Sequence, residues 1–342
     1  MTTDATASKR QKRRTDRLKE QRINKTTVLV HEECKPAFEG LRSHLVDPIK
    51  AEALASLVIQ LQDKKKPTNV AQVKQLSPFR YPGGKTWLVP EIRKWLTISG
   101  NRPSVLVEPF AGGAMVGLSA ASEELADHVF LSELDDDVSA VWQAIFHEKE
   151  EEVAWLRQAI IDFDVNLENV RIILDGNPQT VRERAFRTIV KNRMQRGGIM
   201  AAGAGLIKSG EAGRGLKSRW YPETLARRIE ALQTLREQIT FEQADAFEVV
   251  RRYAHDKEAF FFIDPPYTAG GKKAGSRLYS HNEVDHEGLF SLMSTVAGSV
   301  MMTYDDAPEV RELAGRYGFR IEEVPMKNTH HAVIRELLLL RP

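Results

Sequence analysis

Along the first part of the chain the apolar positions follow a helical period. Leu54, Leu57, Val58 and Leu61 fall on one face, and Lys64-Lys65-Lys66-Pro67 supplies a stop. The spacing predicts a small helical extension over residues 27–76. From residue 77 the pattern changes to short β-branched or aromatic runs alternating with helical stretches, the signature of a doubly wound α/β sheet. Strands are expected over 105–107, 129–132, 240–242, 260–263, 299–303, 320–324 and 333–340, with helices between them. Residues 151–236 break the alternation. They hold helical segments and a glycine-rich loop without a convincing strand, and read as an insertion between the second and third strands. The expected architecture is seven mostly parallel strands, the last antiparallel, built from residues 77–150 and 237–342.

Composition narrows the class. A chain of 342 residues can bury the core of one large α/β domain with an insertion. No apolar run approaches the roughly 20 residues that span a bilayer, so no membrane span is expected. The single cysteine, Cys34, excludes an intrachain disulfide and a zinc site on paired cysteines, and fits a reducing cytoplasm. The net charge of +2 decides nothing, but its distribution does. Residues 1–26 form a basic tail in which Lys9, Arg10, Lys12, Arg13, Arg14, Arg17, Lys19, Arg22 and Lys25 face only Asp16 and Glu20 after residue 8. Such a tail is expected to be solvated and disordered, with non-specific phosphate contact as the alternative. A second basic stretch, 191–220, mixes Gly197, Gly198, Gly203, Gly205, Gly210, Gly213 and Gly215 with Lys191, Arg193, Arg196, Lys208, Arg214, Lys217 and Arg219, against one acid, Glu211. It reads as a flexible basic loop.

Three motifs carry chemistry. In the first, a buried strand ends in Glu108-Pro109-Phe110-Ala111-Gly112-Gly113, a turn whose glycines let backbone approach a ligand at the carboxyl end of the first strand. Glu133 ends the next strand, where Rossmann-like folds place an acid for ribose hydroxyls. In the second, Phe260-Phe261-Phe262-Ile263 runs directly into Asp264-Pro265-Pro266-Tyr267. Two prolines fix φ and remove two N–H donors, leaving a rigid corner rich in acceptors beside an aromatic ring. That corner suits an amino group flipped out of a nucleic acid, held by carboxylate and carbonyl and stacked on Tyr267. The bland alternative is a proline-stiffened loop. The third motif, Tyr81-Pro82-Gly83-Gly84-Lys85-Thr86, ends like a phosphate-binding loop but lacks the required upstream glycine, since Phe79 stands there, and no strand leads into it.

Together, Tyr81-Pro-Gly-Gly-Lys85, Glu108-Pro-Phe-Ala-Gly-Gly113 and Asp264-Pro-Pro-Tyr267, in that order, resemble the Dam-type DNA adenine methyltransferases over residues 77–342. The resemblance implies a Rossmann-like methyltransferase sheet, S-adenosylmethionine as cofactor and double-stranded DNA as substrate, methylated at adenine N6. It implies cofactor contacts by Tyr81, Lys85, Glu108, Phe110, Gly112, Gly113, Glu133, Asp245, Phe247 and Asp264, although the family more often has aspartate where Glu133 stands. It implies a catalytic set of Asp264, Pro265, Pro266 and Tyr267. Residues 151–236 correspond in position to the family's target-recognition region, so Arg193, Arg196, Lys208, Arg214, Lys217 and Arg219 are expected to contact DNA. The basic tail and the helical extension have no counterpart, and the extension is a candidate surface for a protein partner. A cytoplasmic enzyme of bacterial or phage type is expected.

Two rivals stay open on sequence alone. Cytosine N4 or another planar amine needs the same acceptor corner, although families acting on those usually carry Ser or Asn in place of Asp264. A DNA-binding regulator that keeps the fold without turnover is the second. No metal is expected. His330-His331 reads as a polar hairpin tip, since adjacent residues on a strand point to opposite faces and no acid cluster accompanies them.

Overall fold

In a computed structural model the alternating runs form one seven-stranded sheet in the order β3-β2-β1-β4-β5-β7-β6. The structure describes residues 73–80, 84–97, 102–201, 204–210, 213–266, 284–327 and 333–341. The basic tail and most of the 27–76 extension lie outside the described residues. The strands are β1 (Val105–Glu108), β2 (His128–Glu133), β3 (Ile239–Gln243), β4 (Ala259–Ile263), β5 (Ser299–Asp305), β6 (Arg320–Lys327) and β7 (Val333–Arg341). The pairs among β1 to β5 are all parallel, whereas β7 runs antiparallel between β5 and β6. The seven strands and the reversed last strand are those expected.

The apolar content of the central strands explains their place. Every residue of β4 is buried, with Phe260 and Phe262 in one apolar cluster and Phe261 and Ile263 in the other. A strand covered on both faces reads as a continuous apolar run rather than an alternation. From β1 the chain steps outward through β2 to β3 on one side, then returns to build β4 and β5 on the other. The crevice outside the carboxyl ends of β1 and β4 is therefore the point where strand order reverses, which is where open α/β sheets bind ligands.

Ten α-helices surround the sheet among the described residues: α1 (Val89–Thr97), α2 (Met115–Ser122), α3 (Asp136–Phe146), α4 (Glu150–Asp162), α5 (Leu167–Asp175), α6 (Val181–Met194), α7 (Pro222–Gln233), α8 (Ala246–Tyr253), α9 (His286–Met293) and α10 (Pro308–Arg316). Acidic side chains cap three of those that start at the crevice. Asp135 accepts from the amides of Asp137 and Val138, Asp245 from Phe247 and Glu248, and Asp285 from Gly288. The insertion helices α4, α6 and α7 bury Val153, Leu156, Ile160, Phe186, Ile189, Leu225 and Ile229 in the same cluster as Leu106, Val129 and Trp142. They extend the core of one sheet face. Leu76 and Phe79 join that cluster too, so the packed body begins ahead of residue 77.

The turn from β1 into α2 is tightly packed. Gly112 and Ala114 adopt positive φ (46° and 50°). A Cβ at Gly117 would lie 2.6 Å from both Glu108 Oε2 and Leu131 Cδ2. Gly117→Ala would ordinarily gain about 1 kcal/mol of helix propensity, but overpacking costs about 1–3 kcal/mol. The expected result is a net loss of stability in urea unfolding. A midpoint at or above wild type would show that α2 can retreat from the strands at little cost.

Candidate active site

A cleft opens at the strand-order reversal, enclosing about 1150 Å³ of empty space together with the open solvent at its mouth. Its walls come from Gly84 and Lys85, the 109–115 turn, Glu133 to Asp135 after β2, Asp245 to Phe247 after β3, Asp264 and Pro266 after β4, and Val284 and Asp285 before α9. Met200 of the insertion completes the wall.

The glycine turn is fixed from below. Gly112 N–H donates to Glu133 Oε2 at 2.9 Å, while Glu133 Oε1 accepts from the amides of Leu134 and Asp135 at 2.9 and 3.0 Å. Trp142 Nε1 donates to the Gly112 carbonyl at 2.9 Å. Burial raises the Glu133 pKa, and the Asp135 and Gly112 amides oppose that rise. Glu108 is buried beneath the turn and accepts from Gly117 N at 2.6 Å. Burial pushes its carboxyl up to about 8, against the pull of the Gly117 amide and with help from the nearby Asp264 charge.

At the other wall, Asp264 Oδ1 accepts from Thr303 Oγ1 at 2.7 Å and from Lys85 Nζ at 2.9 Å. Lys85 Nζ also meets Glu336 Oε1 at 3.1 Å. Lys85, Thr303 and Glu336 are buried, whereas Asp264 is only half-buried and lines the cleft. Burial works against the lysine charge, but Asp264 and Glu336 outweigh it and hold the ammonium above its ordinary range. Tyr304, behind Asp264, is fully buried with its hydroxyl 3.0 Å from His286 Nδ1, and burial together with the Asp264 charge keeps the phenol protonated.

Lys85, Glu108, Phe110, Gly112, Gly113, Glu133, Asp245, Phe247 and Asp264 thus meet around one cleft, with Pro266 on its wall and Pro265 buried beside it. Lys85 contacts the two carboxylates, which the motif alone did not indicate. Tyr81, Tyr267 and His330-His331 lie outside the described residues. Thr303, Glu336, Leu134 and Met200 were not singled out as site residues. Leu134 did carry a signal, being an apolar residue directly after the expected ribose acid, and it is 44% exposed at the cleft.

Of the basic residues expected at DNA, Arg196, Lys208, Arg214 and Lys217 are exposed and Arg219 is partly so. Arg193 departs from the expectation. It is 7% exposed and donates from Nη2 to the Pro78 carbonyl, because the end of α6 packs that side against residues 77–80. Burial, and then the charges of Arg228, Arg80 and Arg219, push its guanidinium down to about 10. So placed, Arg193 holds the backbone at Pro78 rather than standing exposed or partly exposed like the other five. Among the described residues no group of three or more His, Cys, Asp or Glu is placed to hold a metal ion, and no helix is long and apolar enough to cross a membrane.

A doubly wound sheet with an acid-lined cleft at its switch point is the architecture of nucleotide-cofactor enzymes. The chain belongs to the D12 class N6 adenine-specific DNA methyltransferase family, whose model matches residues 81–329, and it is an enzyme that methylates adenine N6 in DNA. A search of curated proteins returns no match. Among solved structures, a Pyrococcus horikoshii chain assigned as an RNA methyltransferase is 12% identical, with 84% of this chain and 96% of that one covered at a TM-score of 0.35. A precorrin-6y C5,15-methyltransferase from Geobacter metallireducens is 10% identical, covering 81% and 94% at 0.33. A Thermoplasma acidophilum protein is also 10% identical, covering 79% and 93% at 0.36.

The Glu108 carboxyl makes stability depend on pH. Between its ordinary value of 4.5 and the folded value of about 8, the unfolded chain gives up this proton while the folded chain retains it. Its contribution therefore falls as pH rises through that window, is absent below it and is constant above it. Glu108→Gln keeps an acceptor for Gly117 and cannot titrate. Its stability relative to wild type should improve from pH 5 to pH 8.5 by up to about 4 kcal/mol. Parallel pH dependences in urea titrations would remove Glu108 as the source.

Proposed function

We propose that the cleft takes S-adenosylmethionine and that Asp264 receives the target adenine amine at its rim. The observation that supports this most is the double anchoring of Asp264 Oδ1 by Thr303 and Lys85 beside the glycine turn. The lining chemistry fits the cofactor: Glu133 can accept from ribose hydroxyls, Asp245 from an adenine amino group, and Phe247 and Phe110 offer apolar faces. When bound, the cofactor supplies an electrophilic methyl group on a sulfonium.

The remaining work falls to this chain. Asp264 and the Pro265 carbonyl accept hydrogen bonds from the amine, favouring a tetrahedral nitrogen whose lone pair faces the methyl donor. Pro265 and Pro266 present no N–H that could compete for those acceptors. Tyr267 is assigned the stacking role from its position in the motif. Lys85 acts through Asp264, holding the carboxylate in one orientation. The basic tail, residues 1–26, is assigned non-specific phosphate contact, and the extension, residues 27–76, contact with a protein partner, both from the sequence alone.

Asp264→Ala should lower methyl transfer by at least about a hundredfold, the scale of one positioned polar group in a transition state. Near-normal transfer of labelled methyl to DNA by that variant would remove Asp264 from the mechanism. For recognition, Arg196→Ala and Arg214→Ala should each weaken DNA binding while sparing cofactor affinity. A base-reading arginine costs about 1–3 kcal/mol and relaxes preference at one position, whereas a phosphate contact weakens all sites alike. Unchanged DNA affinity and site preference in both would move recognition off this loop.

A further inference from the structure

We propose that Asn192, on the insertion helix α6, is a positioning residue for cofactor binding: its carboxamide grips the backbone of Arg80, four residues before Gly84 and five before Lys85, both of which line the cleft. This rests on reading the cleft as the S-adenosylmethionine site. Asn192 Oδ1 accepts from Arg80 N at 2.8 Å, and its Nδ2 donates to Arg80 O at 3.1 Å and to Gly198 O at 2.9 Å. The side chain is 1% exposed. Pairing with both the N–H and the C=O of one residue copies a strand-to-strand contact and fixes both the position and the tilt of that peptide.

Neighbours repeat the pattern. Arg193 donates to Pro78 O, and Arg228 Nη1 to Ser77 O at 2.9 Å. Three polar side chains of the insertion therefore hold the backbone of residues 77–80. A contact needed only for packing would be met more cheaply by apolar groups, because each buried polar group must recover its desolvation through hydrogen bonds. Gly198 closes the clamp from the far side. It has φ +74°, and a Cβ there would stand 1.9 Å from Arg80 O. Met200, just beyond it, lines the cleft itself. The recognition insertion thus reaches the cofactor cleft by two routes, and any change of affinity that DNA causes at the cleft must be matched by an equal effect of cofactor on DNA binding.

The test measures S-adenosylmethionine affinity of the full chain without DNA by calorimetry, alongside thermal unfolding. It compares wild type with Asn192→Ala, Asn192→Asp, Gly198→Ala and Val310→Ala. Val310 is buried in the opposite cluster, so its variant controls for lost stability. Asn192→Ala and Gly198→Ala should weaken the cofactor at least about tenfold while Val310→Ala stays within about twofold, the first figure being the scale of one lost buried hydrogen bond. Asn192→Asp keeps the acceptor for Arg80 N–H and should fall between, and it carries the test with Gly198→Ala if the alanine variant does not fold. In turnover, the apparent KM for cofactor should rise more than kcat falls. Wild-type affinity in the Asn192 variants, or equal weakening in Val310→Ala, overturns the positioning role. No binding by wild type would instead overturn the cofactor reading on which it rests.

Discussion

The site depends on one buried ammonium. Lys85 reaches it from the segment before α1, Asp264 from the end of β4 and Glu336 from β7, and the three meet within 3.1 Å. Removing such charges from water costs several kcal/mol per ion, so the arrangement is tolerable only where all partners converge. That requirement gives a physical reason for the reversed strand. Inserted between β5 and β6, β7 brings Glu336 opposite Asp305, two positions along β5 from Thr303, whose hydroxyl holds the same Asp264 oxygen. With Glu108 nearby, three carboxylates surround one lysine. The surplus negative charge is eased because burial holds the Glu108 carboxyl up to about 8, so that it retains its proton near neutrality.

The consequence for chemistry is orientation. An exposed aspartate samples rotamers and must be ordered as substrate binds. Here the order is established on folding: Thr303 and Lys85 fix Oδ1, and the following prolines stiffen the backbone. A preorganised acceptor needs little rearrangement at the moment of reaction, which is how electrostatic positioning lowers a barrier. The glycine turn on the opposite wall is held comparably by Glu133 and Trp142.

How legible each part was depends on whether its signal is local in sequence. The central strands could be read because an all-apolar run such as β4 has few other places to go. The acceptor corner could be read because its residues are consecutive. The partnership of Lys85 with Glu336 could not, since it joins residues some 250 positions apart and nothing near either one announces the other. Arg193 is a different case. Composition suggested a surface arginine, but Phe186, Ile189 and Val190 define a buried stripe on α6, and position 193 continues it. Periodicity held the answer that composition obscured. Tyr81 and Tyr267 rest on the motif alone, as they fall outside the described residues.

The insertion, finally, is an insertion in chain order but not in packing. Residues Pro67 to Pro342 cluster as one compact unit, and α4, α6 and α7 share their apolar core with the sheet. A recognition element joined only by linkers could select a site without placing its base accurately at Asp264. Methyl transfer needs the donor and the attacking amine nitrogen in line, and a misplacement on the order of 1 Å can cost about a hundredfold in rate. A continuous core, strengthened by polar side chains that hold the backbone at 77–80, joins the insertion to the cleft through close-packed atoms. Interiors packed at crystal-like density transmit displacement rather than absorb it, so the insertion and the corner at Asp264 are held in one frame.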